Sequence, residues 1–365
     1  MQIEFDDIGP AKITQLYAPQ IPLRAVVVID NTARGPAIGG IRVSPEVDVE
    51  EVYRLARTMT FKSAVADLPH GGGKAGIIAD PKDPNLEKII RTFARMISGL
   101  TEYIPAPDLG CHEEAMAWVL DEIGRVAGLP EELGGLPLDK LGATGYGLAE
   151  CAEIACRQAG LTLSGARVAI QGLGSVGKAA ARFLAAKGAL VVAVSDSQGG
   201  VHNRAGMNVD KLIAAKDAQG TVTSFDGGES ITGDDLFQVD CDILIPAATP
   251  DVICERNAAA IRAKLILEGA NIPATPQAER ALAGRGVLIV PDFIANAGGL
   301  IMAAMEYAGK SAGEAFSVID EKIRANTERI LVKARREQLL PREAAERIAR
   351  ERVKKAMRYR EYSYP

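Results

Sequence analysis

Five continuous apolar runs mark the stretch from about residue 145 to 300: ARVAIQ (166–171), ALVVAVSD (189–196), CDILIPAA (241–248), KLILEGAN (264–271) and VLIVPD (287–292). Runs without polar alternation fit strands covered on both faces, as in a parallel sheet. Helical stretches such as GKAAARFLAAKG lie between them, so this half reads as a doubly wound α/β domain. The first run passes straight into Gly172-Leu173-Gly174-Ser175-Val176-Gly177, which opens an Ala-rich helix. The first glycine allows a tight turn, the second lets backbone approach a pyrophosphate, and the third permits close helix–strand packing. The next strand ends at Asp196, 19 residues after Gly177. An acid there accepts hydrogen bonds from ribose hydroxyls. Strand, glycines, helix, strand and acid in register predict a dinucleotide site. The Asp196 carboxylate favours NAD, because it repels a 2′-phosphate. Arg204, eight residues on, is placed to offset that charge, so NADP stays open.

The N-terminal half reads differently. LRAVVVI (23–29) is strand-like, and NTARGPAIGGIRVSP is turn-rich. VEEVYRLARTMTFKSAVA carries apolar residues at helical spacing. LPHGGGKAGIIADP reads as a glycine loop closing on Asp80-Pro81. Two further helices, NLEKIIRTFARMISGL and HEEAMAWVLDEI, flank the Pro-rich turn PAPDLG. GLPEELGGLPLDKLGATGYG, rich in Gly and Pro, reads as a domain junction and candidate hinge. The expected division is 1–135, with a C-terminal helix (about 330–365) packing back on it, and 140–330. The charged segment after Ala303 mixes acids and bases, as a solvated helix face does.

Other function classes are disfavoured. A formal net charge of −5 argues against a nucleic-acid surface. No apolar run reaches the roughly 18 residues a membrane span needs, and residues 1–20 show no signal-peptide pattern. The five cysteines form no CxxC pair, so no metal site or disulfide framework is expected. Cys151, Cys156 and Trp118 read as core, and a reducing cytoplasm is the expected location.

Two lysines and an aspartate carry the chemistry. Lys62 lies 12 residues before Lys74, which follows three glycines directly. Neighbouring lysines and desolvation both lower an amine pKa, and a neutral amine near pH 7 serves as a general base. Asp108 sits in PAPDLG, where an Asx-turn is the alternative reading.

GPAIGGIR, MTFK, LPHGGGKAGIIADP, PAPDLG, GATGYG, GLGSVG, VSDSQGG, LEGAN and PDFIANAGG together resemble the glutamate/leucine/phenylalanine/valine dehydrogenase family, in that family's order over residues 31–306. The resemblance implies two domains: an N-terminal α/β substrate and oligomerisation domain, and a Rossmann-like NAD-binding domain, with a cleft between them. It implies oxidative deamination of an L-amino acid to a 2-oxo acid and ammonia, by a homo-oligomer. Lys74 would be the catalytic lysine, Asp108 the proton shuttle and Lys62 the α-carboxylate ligand. Gly39 and Gly40 would line the substrate pocket. Thr144 and Asn271 match positions holding the nicotinamide half, with Ala247 placed beside them. Asn296 matches a residue near the substrate amino and carboxylate groups.

Glutamate-specific members carry a lysine where this chain has Ile38, and a serine where it has Ala303. With Leu300, these residues predict a pocket for an apolar side chain, since an unpaired buried carboxylate is costly. Glutamate remains the alternative substrate, because VSDSQGG, LEGAN and PDFIANAGG resemble the glutamate branch. Two other classes fit the residues less well. A 2-hydroxy-acid dehydrogenase needs a His–acid pair that His70, His112 and His202 do not obviously supply. A non-catalytic dinucleotide-binding protein has no reason to carry Lys62, Lys74 and Asp108 in these contexts.

Overall fold

The computed structural model describes residue 3 and residues 5–360, so positions 361–365 of the expected C-terminal helix lie outside the described residues. The chain divides into two compact bodies. The first runs up to Leu138 and includes Leu300–Phe316 and the chain from Glu346 onward; the second comprises Asp139–Gly299 and Ser317–Ala345.

The first body is built on a five-stranded mixed sheet. Its elements are β1 (Lys12–Ala18), β2 (Leu23–Asn31), β3 (Ala37–Val43), α1 (Val49–Val65), β4 (Gly71–Ile77), α2 (Leu86–Met96), β5 (Tyr103–Ala106) and α3 (Glu113–Ile123). The strand order is β1-β2-β4-β3-β5. β3 runs parallel to β4 and β5, and β2 pairs antiparallel with β1 and β4. β2 is apolar on both sides because both are covered. Leu23, Ala25, Val27 and Ile29 join the core that α2 and α3 complete, while Val26 and Val28 pack with Val52 and Ala56 of α1. Fully burying a side chain of this kind contributes about 1.5–3 kcal/mol. α1 starts where the Asp48 side chain accepts from the Glu51 N–H, and it places Lys62 in its last turn, the favourable end for a cation. Arg352 then donates to the carbonyls of Ala64 and Val65, at 2.8 Å each, and satisfies that helix end.

Two expectations are corrected here. GPAIGGIR and HGGGKAG, read as turn and loop, are the strands β3 and β4, and Lys74 lies mid-strand. The glycines serve close packing. A Cβ on Gly39 would lie 1.7 Å from the Gly73 carbonyl oxygen, and one on Gly72 would lie 2.1 Å from the Thr60 nitrogen in α1. The C-terminal charges are also not uniformly solvated: Arg342, Arg324 and Arg352 make partly buried ion pairs and caps.

The second body holds a seven-stranded sheet. Its elements are α4 (Leu138–Leu141, whose first residue closes the first body), α5 (Ala143–Gln158), β6 (Arg167–Gln171), α6 (Ser175–Ala186), β7 (Leu190–Asp196), β8 (Gly199–His202), α7 (Val209–Gln219), β9 (Glu229–Ile231), β10 (Ile243–Pro246), α8 (Glu255–Ala258), β11 (Leu265–Leu267), α9 (Pro276–Gly284), β12 (Leu288–Val290) and α10 (Asp292–Ala295). The order β12-β11-β10-β6-β7-β8-β9 has five parallel strands and an antiparallel edge hairpin. All five apolar runs are strands of this sheet. The chain passes from one body to the other within α11 (Gly298–Tyr307), α12 (Ala312–Glu337) and α13 (Pro341–Tyr359). A buried ion cluster closes the β12 side. Arg342 reaches Glu268 at 2.6 Å, Glu279 at 2.7 Å and Asp292 at 3.0 Å.

Candidate active site

In the first body, strand alternation decides which residues meet. β3 and β4 pair Ile38 with Gly72 and Arg42 with Gly76. A Cβ on Gly72 would strike Thr60, and one on Gly76 would lie 2.7 Å from Val52. Ile38, Gly40 and Arg42 therefore share the α1-covered face with Lys74, while Ala37, Ile41, Ala75 and Ile77 point into the opposite core. Lys74 is 6% exposed. Its Nζ lies 2.9 Å from Asp108 Oδ2, so the two residues joined only by resemblance in the sequence are an ion pair here.

Asp108 reaches Lys74 because Gly40 leaves room. A Cβ on Gly40 would stand 2.6 Å from both the Asp108 Cβ and the Pro107 carbonyl oxygen. The turn carrying Asp108 is closed by reciprocal backbone bonds with Cys111, 2.9 Å each way. It is backed by Gly128, whose Cβ would sit 2.4 Å from Pro107 Cδ. Gly128 is itself held by Glu306, whose carboxylate accepts from the N–H groups of Gly128 (2.7 Å), Leu129 (3.0 Å) and Leu136 (2.6 Å). Three of the residues expected to be a hinge are thus tied to one acid on α11. The same helix carries Leu300 and Ala303, both buried, in its part belonging to this body. Lys62 is half-buried in α1.

The electrostatics follow from burial and pairing. Burial is the largest influence on Lys74 and holds its pKa below the usual ammonium value; Asp108 pulls it back up, and Arg42 adds to the lowering. Burial pushes Asp108 upward, but Lys74 and Arg42 together bring it below the ordinary carboxylate value. At neutral pH the acid is therefore a carboxylate beside an amine that gives up its proton more readily than in water.

In the second body, the fingerprint forms the predicted turn. Gly172 has φ +93°, and a Cβ on Gly177 would lie 1.9 Å from the Gly172 carbonyl oxygen. Gly174 faces open space at the start of α6. Gly172 abuts Ala248, and the Ala247 N–H donates to the Gln171 carbonyl at 2.7 Å. These are the carboxyl ends of β6 and β10, adjacent strands at the topological switch point, where open α/β sheets bind ligands. Thr144, Asn271 and Asn296 gather at the same end. GATGYG, read within the junction, instead opens α5, and a Cβ on Gly298 would lie 2.2 Å from the Ala143 carbonyl oxygen and 3.3 Å from the Thr144 Cα. Asn296 Nδ2 donates to Asn271 Oδ1 at 3.0 Å. Ile272, next to Asn271, holds φ +49°, a strained value for a β-branched residue. The Asp292 carboxylate holds it there by accepting its N–H at 3.0 Å.

A dinucleotide fits these residues on the structure's own terms. Asn296 is 5% exposed, and among the described residues its Oδ1 has no hydrogen-bond partner. An orphaned, buried acceptor on this body calls for a donor such as a carboxamide or an ammonium. Asp196 differs from expectation. Its carboxylate already accepts from Lys216 (2.7 Å), the Val222 N–H (2.7 Å), the Gln198 N–H (2.8 Å) and Thr221 (3.3 Å). Those four bonds fill its acceptor sites. A ribose hydroxyl must displace one of them, and Lys216 offsets the charge that was to repel a 2′-phosphate.

Sequence reasoning missed Arg42 and Glu306. Arg42 lies inside GPAIGGIR, and only the strand register reveals that it points at Asp108. No sequence signal marks Glu306, whose partners are backbone groups.

Comparison with known proteins gives the family. The family model described as Glutamate/Leucine/Phenylalanine/Valine dehydrogenase matches residues 134–361, and that of the Glu/Leu/Phe/Val dehydrogenase dimerisation domain matches residues 20–125. A glutamate dehydrogenase of Aeropyrum pernix is 40% identical over 355 residues, covering 90% of this chain and 85% of its own. An NAD-specific glutamate dehydrogenase of Staphylococcus aureus is 39% identical over 315 residues, covering 82% and 76%. Among solved structures, the hetero-hexameric glutamate dehydrogenase of Thermus thermophilus in its Leu-bound form superposes with a TM-score of 0.86 at 32% identity, covering 96% of this chain and 90% of that one. The L-tryptophan dehydrogenase of Nostoc punctiforme gives 0.75 at 25% identity, covering 94% and 96%. With its strands, glycine turn and lysine–aspartate pair in these places, the chain belongs to the Glutamate/Leucine/Phenylalanine/Valine dehydrogenase family of amino-acid dehydrogenases.

Proposed function

We propose that the protein oxidatively deaminates an L-amino acid with an apolar side chain, using NAD and accepting NADP, to give a 2-oxo acid and ammonia. The observation that carries this reading is the Lys74–Asp108 pair, seated on a sheet face whose neighbouring strand presents Ile38. A bound nicotinamide supplies the hydride acceptor for the substrate α-carbon. The remaining work falls to this chain. Lys62 holds the α-carboxylate. Asp108, kept ionised by its cations, takes a proton from the substrate ammonium. Lys74, its proton loosened by burial, deprotonates the water that adds to the iminium carbon. Asp108 then returns a proton to the nitrogen, the C–N bond breaks with its electron pair on ammonia, and the carbinolamine hydroxyl passes its proton to that ammonia as the 2-oxo acid carbonyl forms. Gly172, Gly174, Ser175, Val176 and Gly177 cradle the pyrophosphate, Thr144, Ala247 and Asn271 hold the nicotinamide half, and Asn296 serves the substrate amino and carboxylate groups. The first body, with 300–316 and the chain from 346 onward, forms the substrate and oligomerisation domain of a cytoplasmic homo-oligomer, and the second, 139–299 with 317–345, forms the dinucleotide-binding domain. Among the described residues no helix is long and apolar enough to cross a membrane.

Glutamate is the second reading, favoured by the names of the curated relatives. Ile38 and Ala303 weigh against it, since a γ-carboxylate beside them has no cation from either position. The test is reduction of NAD and of NADP across a panel of L-amino acids. Leucine, valine, isoleucine, phenylalanine or tryptophan turning over well above glutamate supports the proposal. Preference for glutamate keeps the chemistry and overturns the pocket argument.

A further inference from the structure

Asp108 receives two cations on one oxygen. Lys74 Nζ lies 2.9 Å from Oδ2, and Arg42 Nε donates to the same Oδ2 at 3.0 Å. Among the described residues no hydrogen bond reaches Oδ1. The other end of the Arg42 guanidinium is held by Glu51 in the first turn of α1. Arg42 is thus fixed from both sides, on β3, one residue beyond the strand position beside Gly40. An arginine stays charged at any working pH, and its planar fork fixes direction as well as charge.

We propose that Arg42 is a positioning residue for the reaction: it seats Asp108 so that Oδ1 faces the reacting groups, and its fixed charge sets the proton affinity of the Lys74–Asp108 pair. This rests on the amino-acid dehydrogenase reading above. The groups facing the pair are Arg42 from β3, Glu51 from α1, Tyr103 from β5 and Cys111 just past it. Tyr103 and Cys111 stay neutral at neutral pH, because burial raises the Tyr103 hydroxyl well above its usual value and pushes Cys111 up to about 12. A cation beside both members favours loss of the proton from each. Removing it raises the apparent pKa values of the pair together.

The test is Arg42→Met and Arg42→Lys, read three ways. The first is kcat and KM for the best amino acid. The second is the pH profile of kcat/KM. The third needs no turnover: the pH dependence of Lys74 acetylation by acetic anhydride, followed by mass spectrometry. For Arg42→Met, kcat falls about tenfold to a hundredfold, the loss of one charge-assisted hydrogen bond, with KM changing far less. The acid limb and the acetylation midpoint both move to higher pH, by about one unit. Arg42→Lys returns the midpoint toward wild type, because the charge is back, but leaves kcat reduced, because the fork is not. An acetylation midpoint unmoved in folded Arg42→Met overturns the proposal. So does full kcat in Arg42→Lys, which decides the matter if the Met variant does not fold. No turnover of any amino acid by wild type, with the midpoint shift still present in Arg42→Met, refutes the functional reading and keeps the electrostatic one.

Discussion

Gly40→Ala tests the geometry of the site with one methyl group. Gly40 does not adopt a left-handed backbone, so alanine brings no torsional strain. What it brings is contact: the new Cβ would stand 2.6 Å from the Asp108 Cβ and from the Pro107 carbonyl oxygen. Ordinary van der Waals contact begins near 3.4 Å, so the Asp108 turn must retreat by about 0.8 Å. The turn has little freedom to rotate instead, because Cys111 closes it and Gly128 backs it. The 2.9 Å Lys74–Asp108 contact then stretches toward about 3.7 Å, outside hydrogen-bond range. Losing a charge-assisted bond of about 1.5–3 kcal/mol lowers kcat roughly tenfold to 150-fold. The assay is initial-rate dinucleotide reduction at saturating amino acid, with dinucleotide affinity measured by fluorescence and folding by thermal melt. Dinucleotide affinity stays unchanged, because the fingerprint belongs to the other body. A folded Gly40→Ala that keeps kcat within a factor of two refutes the claim that this bare position seats Asp108.

Two further predictions concern stability. Arg342→Met leaves Glu268, Glu279 and Asp292 without their shared cation, and breaking such a buried pair costs about 3–5 kcal/mol. Burial already holds Glu268 well above the usual carboxylate pKa, and a raised acid loses its stabilising contribution as pH rises through the folded value. The variant should therefore melt much earlier at pH 8 than at pH 5, and equal losses at both would count against the cluster. For Asp108 the sign is opposite. Its folded pKa is depressed, so its contribution is present above the unfolded value of about 3.9 and is lost as pH falls below it. Between pH 5 and pH 2, unfolding free energy should fall more steeply in wild type than in Asp108→Asn; parallel curves would show that the carboxylate gains nothing from its cations.

What could be read before folding differed between the two bodies for a physical reason. The parallel sheet of the second body is covered on both faces, so its strands are unbroken apolar runs: ALVVAVSD became Leu190–Asp196 almost residue for residue. β3 and β4 carry six glycines between them, and glycine has low strand propensity in isolation. They are strands because neighbouring backbone and α1 approach too closely for any side chain, which is a tertiary fact. The same holds for electrostatic partners. The acid at Asp196 follows from spacing alone, whereas Lys216, 20 residues later on another element, becomes its partner only through folding. Residue identity located Lys74 and Asp108; the orientation of Arg42 toward them required the register of β3 against β4.

That register also bears on why substrate choice and chemistry are hard to alter separately. One face of β3 presents Ile38, Gly40 and Arg42 in succession: a side chain proposed to select the substrate, a gap that admits Asp108, the proposed proton carrier, and a cation proposed to orient it. Moving β3 by one residue would turn all three away together. The helix that bears the other two proposed selectivity residues is coupled in the same way. Ala303 lies one turn before Glu306, whose carboxylate pins Gly128 against Pro107, the residue next to Asp108. A larger or charged residue at position 303 that tilts this helix therefore pulls on the aspartate as well as on the pocket. Ile38→Lys alone is the cleaner way to seek glutamate activity, because β3 is held between two parallel neighbours and the substitution leaves Gly40 and Arg42 in register. A gain in glutamate turnover from Ile38→Lys, with a larger loss of kcat from Ala303→Ser than its single hydroxyl warrants, is the pattern this coupling requires. A clean switch of substrate from Ala303→Ser with kcat intact would show that α11 yields locally and that the Glu306 strap transmits nothing to Asp108.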